Sequence, residues 1–326
     1  MNDAPTPLSK QDLSTSFIRS LCAGEIEESV LFPYPTMAEE ERELLKSVIE
    51  AVDSLLESRG EDFRAWDAAG AMPAEFVEEL RQFGLFGLII PEENGGMGLG
   101  NMAYSRTLQQ IARYDASVAV TIGAHSSIGM RGLKLYGTPD QCERYYDKLV
   151  TGEMIAAFCL TEPGAGSDSA AVKSTAEDKG DHYLLNGSKI WITNGGIADF
   201  FTVFARSAVV DGKNKLSAFI VTKDMPGVTV SGHEDKMGIR ASSTTSVFFE
   251  DVKIPKENLL GPEHGGFKVA MNILNSGRSG LGGGSVGGMK SLIGMASKYA
   301  MERKQFGEPI GSFGLIQQKI GHMVVE

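Results

Sequence analysis

The sequence predicts an α+β multidomain protein: an N-terminal α-helical domain, a middle β-barrel or sandwich domain, and the start of a C-terminal helical bundle. Three observations carry that reading. Apolar residues recur at helical spacing between about residues 40 and 152. Short apolar runs separated by turn residues then replace that period, with no strand–helix–strand alternation. The helical period returns after Pro262 and holds to the end. The expected divisions are an extension over 1–40, a helical domain over 41–152, a β domain over 153–261 and the helical start of a further, incomplete domain over 262–326.

Leu44, Leu45, Val48, Ile49, Val52, Leu55 and Leu56 predict a first helix, with Gly60 after it. Pro73 can start another, with Phe76, Val77, Leu80 and Phe83 on one face and Gly84 as the stop. Leu108 and Ile111 mark a third. Thr138-Pro139 reads as an N-cap and a first-turn proline, opening a helix through Tyr145. Met154–Leu160, Phe200–Ala205, Ala218–Val221, Val228–Val230 and Val247–Val252 are strand candidates. Asn186-Gly187, between Tyr183–Leu185 and Ile190–Ile192, predicts a hairpin turn. From Phe267 a long helix carries Leu281, Val286, Met289, Leu292, Ile293 and Ala296. Its glycines, Gly282 to Gly284, Gly287 and Gly288, each cost about 1 kcal/mol in a helix, which close packing against another helix would offset. Gly307 and Pro309 break the pattern before a last helix over Phe313–Val325.

Composition excludes several classes. The net charge of −11 and the absence of a basic stripe argue against nucleic acid as a partner. Three scattered cysteines give neither a disulfide framework nor a metal motif, and the five histidines form no zinc cluster, so no metal is expected. The first residues show no secretory or transit signal, and no apolar run approaches the roughly 20 residues of a spanning helix. A bacterial cytoplasm, or the mitochondrial matrix for a mature eukaryotic form, is the expected location. Membrane association is not decidable here.

Two segments carry the chemistry. Phe158-Cys159-Leu160-Thr161-Glu162-Pro163-Gly164-Ala165-Gly166-Ser167-Asp168 is an apolar strand that ends in a hydroxyl and a proline–glycine turn. Such a turn presents N–H groups and hydroxyls on one concave surface. Lys189-Ile190-Trp191-Ile192-Thr193-Asn194-Gly195-Gly196 places a large flat indole near a strand end. Thr193 lies two residues on, hence on the same side of a straight strand.

Together these segments resemble the two flavin segments of the acyl-CoA dehydrogenase family. Arg303-Lys304-Gln305-Phe306-Gly307 resembles that family's arginine-x-x-phenylalanine-glycine motif, at the family's spacing. Phe32-Pro33-Tyr34-Pro35, Gly123 to Gly129 and Ile273 to Arg278 are similar to its very-long-chain branch. The resemblance implies FAD as cofactor, lined by Phe158, Leu160, Thr161, Gly166 and Ser167, with Trp191 over one flavin face and Ile192 and Thr193 near its reactive nitrogen. Ser167 would also touch the acyl-CoA substrate. Asn275, Ser276, Gly277 and Arg278 would lie along the CoA or acyl chain. Arg303 would reach the FAD pyrophosphate of a neighbouring subunit, implying a homodimer or higher oligomer.

The implied reaction converts an acyl-CoA to its trans-2-enoyl form, with electrons leaving through an electron-transfer flavoprotein. It needs a carboxylate base. In most relatives a glutamate late in the last domain serves, which places it beyond Glu326. In a minority it precedes the arginine matching Arg278, where this chain has Gly277. Many relatives carry a cofactor-touching glutamine where this chain has Gly314, and Gln317 is out of step with it. Residues 1–326 alone are therefore expected to bind FAD poorly and to be inactive. An acyl-CoA oxidase, or a non-catalytic assembly protein that keeps the fold, are the alternatives. Gly283-Gly284-Ser285-Val286-Gly287 fits a hydrolase elbow only in letters, because it falls inside a helical pattern. Gly288-Met289-Lys290-Ser291 misses a phosphate loop by one residue.

Overall fold

Burial and capping explain where the helices lie. The computed structural model describes residues 17–26 and 28–326, so part of the expected extension over 1–40 falls outside the described residues. Helices α1 (Phe17–Cys22), α2 (Glu39–Leu56), α3 (Gly60–Ala69), α4 (Ala74–Gln82), α5 (Asn101–Tyr114) and α6 (Ala116–Gly123) come first. A π-helical segment, Ala124–Gly129, leads into α7 (Arg131–Tyr136) and α8 (Pro139–Thr151). The expected row on α2 is inward: Leu45, Val48, Val52, Leu55 and Leu56 are buried. Gly60 begins α3 and does not simply follow a finished helix. That helix escapes a periodicity search because it buries little beyond Phe63. Its hold on the domain is aromatic, with Trp66 4.5 Å and Phe63 6.2 Å from Phe76, centroid to centroid.

Thr138 caps α8 as expected. Its hydroxyl accepts from the Gln141 N–H at 3.2 Å, and the Gln141 side chain accepts from the Thr138 N–H at 3.0 Å. The buried Gln141 amide also donates to the carbonyls of Glu257 and Leu259 at 2.7 and 2.9 Å. One side chain thus starts a helix and ties it to the sheet.

The sheet has eight strands: β1 (Ala156–Cys159), β2 (Thr175–Asp178), β3 (His182–Thr193), β4 (Phe200–Val210), β5 (Lys213–Thr222), β6 (Val228–Val230), β7 (Thr244–Pro255) and β8 (Leu259–Leu260). Their order is β6-β7-β3-β2-β4-β5-β8, and β1 pairs parallel with β4. Tyr183 on β3 and Phe219 on β5 are separated by two strands in that order, yet their rings lie 4.9 Å apart. In a flat sheet strands stand about 4.8 Å apart, so these two would be roughly 14 Å distant. The sheet is therefore rolled, with Phe201, Val203, Phe219, Val247 and Ile254 inside. Phe200 and Phe204 point the other way, into the helical core, so β4 is buried on both faces and reads as an unbroken apolar run.

Asn186-Gly187 is not a turn. Both residues lie inside β3, where a register shift against β7 falls between Leu185 and Gly187. A Cβ on Gly187 would stand 2.3 Å from the Ser174 hydroxyl, and its φ is +145°. The glycine answers a close approach by the neighbouring backbone at a bulge, a demand that looks like a hairpin turn in sequence.

The chain then forms α9 (Gly266–Glu302), a short hairpin of β9 (Lys304–Gln305) and β10 (Glu308–Pro309), and α10 (Gly314–Val325). Two of the five glycines expected to allow close packing do so, Gly283 and Gly287, whereas a Cβ on Gly282 or Gly288 would meet nothing within 4 Å. A Cβ on Gly283 would meet the Ser105 carbonyl oxygen at 2.4 Å, and one on Gly287 the Gln109 carbonyl oxygen at 2.0 Å. These two, one turn apart, lay α9 directly on the α5 backbone. Ser285 and Lys290 sit within α9, which removes the elbow and phosphate-loop geometries. Among the described residues no helix is long and apolar enough to cross a membrane.

Candidate active site

The two segments singled out in the sequence meet edge to edge. After β1, the chain makes a turn closed by reciprocal backbone hydrogen bonds between Glu162 and Ala165, at 3.2 and 3.1 Å. The Ile190 N–H donates to the Thr161 carbonyl at 2.9 Å, so the turn and the tryptophan strand are direct neighbours. Beneath them lies a buried ion pair. Lys189 Nζ donates to Glu162 Oε1 at 2.7 Å and to the Leu160 carbonyl at 3.2 Å. Glu162 also accepts from the Lys173 N–H at 2.6 Å and the Ser174 N–H at 3.0 Å. Burial by itself would raise the Glu162 pKa. The ammonium and the two amides outweigh it and hold the carboxyl below its usual range.

A second register shift, between Lys189 and Ile192, bends the end of β3. Trp191 sits there with φ +59° and is 57% exposed. A left-handed conformation costs a non-glycine residue roughly 1–2 kcal/mol, and an exposed indole forgoes its burial. Both costs fall on one residue beside a cavity, the pattern of a ligand-facing position. The bulge also lets Trp191, Ile192 and Thr193 all line that cavity, which a straight strand with alternating faces does not allow.

The cavity is about 410 Å³. Phe158, Leu160 and Thr161 form one side, Gly166, Ser167 and Ser169 the turn, and Trp191, Ile192 and Thr193 the strand end. Ile128 of the π-helical segment and Met271, Leu274 and Arg278 of α9 complete it. A Cβ on Gly166 would meet nothing within 4 Å, so this glycine leaves open space at the turn. The surface is apolar on its faces and carries hydroxyls from Thr161, Ser167 and Thr193, which suits a flat heteroaromatic ring with a polar edge.

A second, apolar cavity of about 510 Å³ runs between α5, α6 and α9. It shares Ile128, Thr193, Leu274 and Arg278 with the first, so the two adjoin. Leu108, Ala112, Ala119, Val120, Gly280, Leu281 and Gly284 line it. None of the residues lining either cavity carries a carboxylate.

His125 latches the π-helical segment to the sheet. Its Nδ1 accepts from the Ala156 N–H at 2.9 Å, which leaves Nε2–H to donate to the Leu149 carbonyl at 3.0 Å. The ring is therefore neutral, and burial pushes its pKa down to about 4. Gly129 lies against β1, where a Cβ on it would meet the Ala156 side chain at 2.7 Å, and its carbonyl accepts from the Thr202 hydroxyl of β4 at 2.8 Å.

Eight of the nine residues expected at a cofactor line the first cavity: Phe158, Leu160, Thr161, Gly166, Ser167, Trp191, Ile192 and Thr193. Arg303, at the end of α9, is exposed and lines neither cavity. Of the expected substrate residues, Ser167 and Arg278 line the first cavity, and Gly277 and Arg278 the second. Asn275 and Ser276 line neither. Asn275 is exposed and accepts from Arg278 Nη1 at 2.7 Å, so it orients the arginine from outside. Sequence reasoning missed Ile128, Ser169, Met271 and Leu274. The spacing of Met271, Leu274 and Arg278, three and four residues apart, marks one helix face and was available. Ile128 had no such signal, since a π-helical segment has no apolar period to find. Among the described residues no cluster of side chains could hold a metal ion.

Residues 38–153 match the model of the acyl-CoA dehydrogenase N-terminal domain, 157–252 that of the middle domain and 264–326 that of the C-terminal domain. The human mitochondrial very long-chain specific acyl-CoA dehydrogenase is 44% identical over 325 residues, covering 96% of this chain and 49% of that protein. This chain thus spans about half the length of the curated relatives it matches first. Butyryl-CoA dehydrogenase from Megasphaera elsdenii superimposes with a TM-score of 0.82 at 35% identity, over 89% of this chain and 76% of that one. An acyl-CoA dehydrogenase complexed with FAD from Bacillus anthracis does so with a TM-score of 0.79 at 39% identity, over 91% and 50%.

Proposed function

We propose, from the premise that this chain belongs to the acyl-CoA dehydrogenase family, that the whole protein oxidises long-chain acyl-CoA thioesters to trans-2-enoyl-CoA with FAD, in fatty-acid β-oxidation. The observation that carries this reading is the single cavity in which both expected flavin segments meet. Thr161, Ser167 and Thr193 would hold the polar edge of the flavin, Trp191 would cover one face, and Gly166 would leave room for it. When bound, FAD supplies the acceptor for the β-hydride. The apolar cavity beside the first supports an acyl chain lying between α5, α6 and α9. Arg278, at the junction of the two, would face the thioester or its CoA carrier.

Proton abstraction needs a carboxylate at that junction, and the residues there supply none. Gly277 would place a Cβ 2.7 Å from an Ile128 methyl, so a side chain there would displace the cavity wall. We therefore assign the base to a glutamate outside these 326 residues. Arg303 would act on FAD bound in a partner subunit, and an electron-transfer flavoprotein would take the electrons.

Palmitoyl-CoA added to the complete, FAD-loaded protein without oxygen should bleach the flavin, and turnover should require an electron carrier. Full turnover with oxygen as the sole acceptor would instead identify an oxidase. A protein that holds FAD but is not bleached by any acyl-CoA would be the non-catalytic alternative.

A further inference from the structure

The Glu162–Lys189 pair costs a great deal and touches no part of the cavity surface. Lys189 is fully buried and Glu162 nearly so. Removing two charges from water is offset only when geometry and hydrogen bonding are good, and an apolar pair of similar volume often serves stability as well or better. Stability alone is therefore a poor reason for this pair. Its placement offers a better one.

The carboxylate gathers three segments at one point: its own turn, the approach to β2 through the Lys173 and Ser174 amides, and β3 through Lys189. Lys189 in turn grips the Leu160 carbonyl. Glu162 also closes the turn through its backbone bonds with Ala165, so fixing its side chain fixes where Gly166 and Ser167 stand. On the other strand Lys189 lies just before the bulge that turns out Trp191. Apart from the pair, one backbone hydrogen bond, Ile190 to Thr161, joins the two cavity segments directly.

We propose that the Glu162–Lys189 ion pair is a positioning device for FAD, which sets the Thr161–Ser167 turn and the Trp191 strand at the separation the flavin ring requires. This rests on the reading that the cavity takes FAD. The pair is directional where an apolar contact is not, because its bonds fix where the turn sits and not merely that it is covered.

The test separates positioning from stability. The complete protein is stripped of FAD, and FAD affinity is measured by quenching of tryptophan fluorescence. The unfolding midpoint and amide hydrogen exchange at residues 164–169 of the apo-protein are read alongside. The double variant Glu162→Leu/Lys189→Met replaces the pair with apolar side chains of similar size. The single variant Glu162→Asp keeps both charges but shortens the reach of the carboxylate, and guards against a double variant that does not fold. Expected for the double variant are an unfolding midpoint near that of the parent, at least a tenfold weaker FAD affinity, and faster exchange in the turn. Glu162→Asp should show a smaller loss in the same direction. If the parent binds FAD and both variants bind it equally well, the pair is structural only and the proposal fails. If the parent binds no FAD, the flavin reading itself fails and the proposal with it.

Discussion

The two walls of the cavity are held by opposite means. The sheet wall, from Phe158 to Ser167 and along Trp191 to Thr193, stands on a buried ion pair and directed hydrogen bonds. The helical wall, Ile128 with Met271, Leu274 and Arg278, stands on apolar packing and on the direct contact of α9 with α5. Directed bonds fix positions to a fraction of an ångström and fail sharply when one partner is lost. Packing sets a distance and fails in proportion to the volume added or removed. The wall proposed to hold the flavin uses the first, and the wall proposed to face the acyl chain uses the second.

The sharpest way to break this contrast is Lys189→Met alone. It leaves the Glu162 carboxylate buried without its cation, and folding stability should fall by about 3–5 kcal/mol in urea unfolding. A loss below about 1 kcal/mol would mean the sheet wall does not stand on the pair.

His125 tests the seam between the walls. Its ring is neutral when folded, with a pKa near 4 against an ordinary 6.5. Above pH 6.5 the ring is neutral in both states, and its contribution is fully present. As pH falls from 6.5 through 4, the unfolded chain takes up a proton that the folded chain refuses, so stability drops by about 3 kcal/mol in all. Unfolding followed between pH 7 and 4 should show this slope, and a His125→Gln variant should lack that share of it.

The helical wall should respond in proportion to the space at each glycine. Gly287→Ala places a methyl 2.0 Å from the Gln109 carbonyl oxygen and should cost about 1–3 kcal/mol. Gly282→Ala meets nothing within 4 Å and should stabilise by up to about 1 kcal/mol. Thermal unfolding of the two variants reads the difference. Equal effects would show that the α9–α5 contact does not depend on the absent side chains.

Much of the fold was legible because periodicity reports burial. The inward row of α2, the Thr138 cap and the doubly buried β4 all follow from side-chain spacing or from one capping residue. The aromatic helix α3, the π-helical segment and the Gly187 bulge were not legible, since each is held by contacts with a different element that no local period reports. Within the site, Thr161 and Trp191 were visible as types in a pattern. Nothing local marks Glu162 and Lys189 as partners, because a buried ion pair and two solvated charges look alike in sequence.

By itself the sequence determined which residue types would face a flat ligand, since hydroxyls, glycines and an indole at those spacings are written into two short segments. Only the tertiary structure decided that the segments meet, that a bulge turns three consecutive residues toward one cavity, and that a charge pair lies beneath them. The physical reason is one of range. Propensity and period act over a few residues, whereas a bulge or a buried charge is stabilised by partners that the chain brings close only when the sheet rolls up.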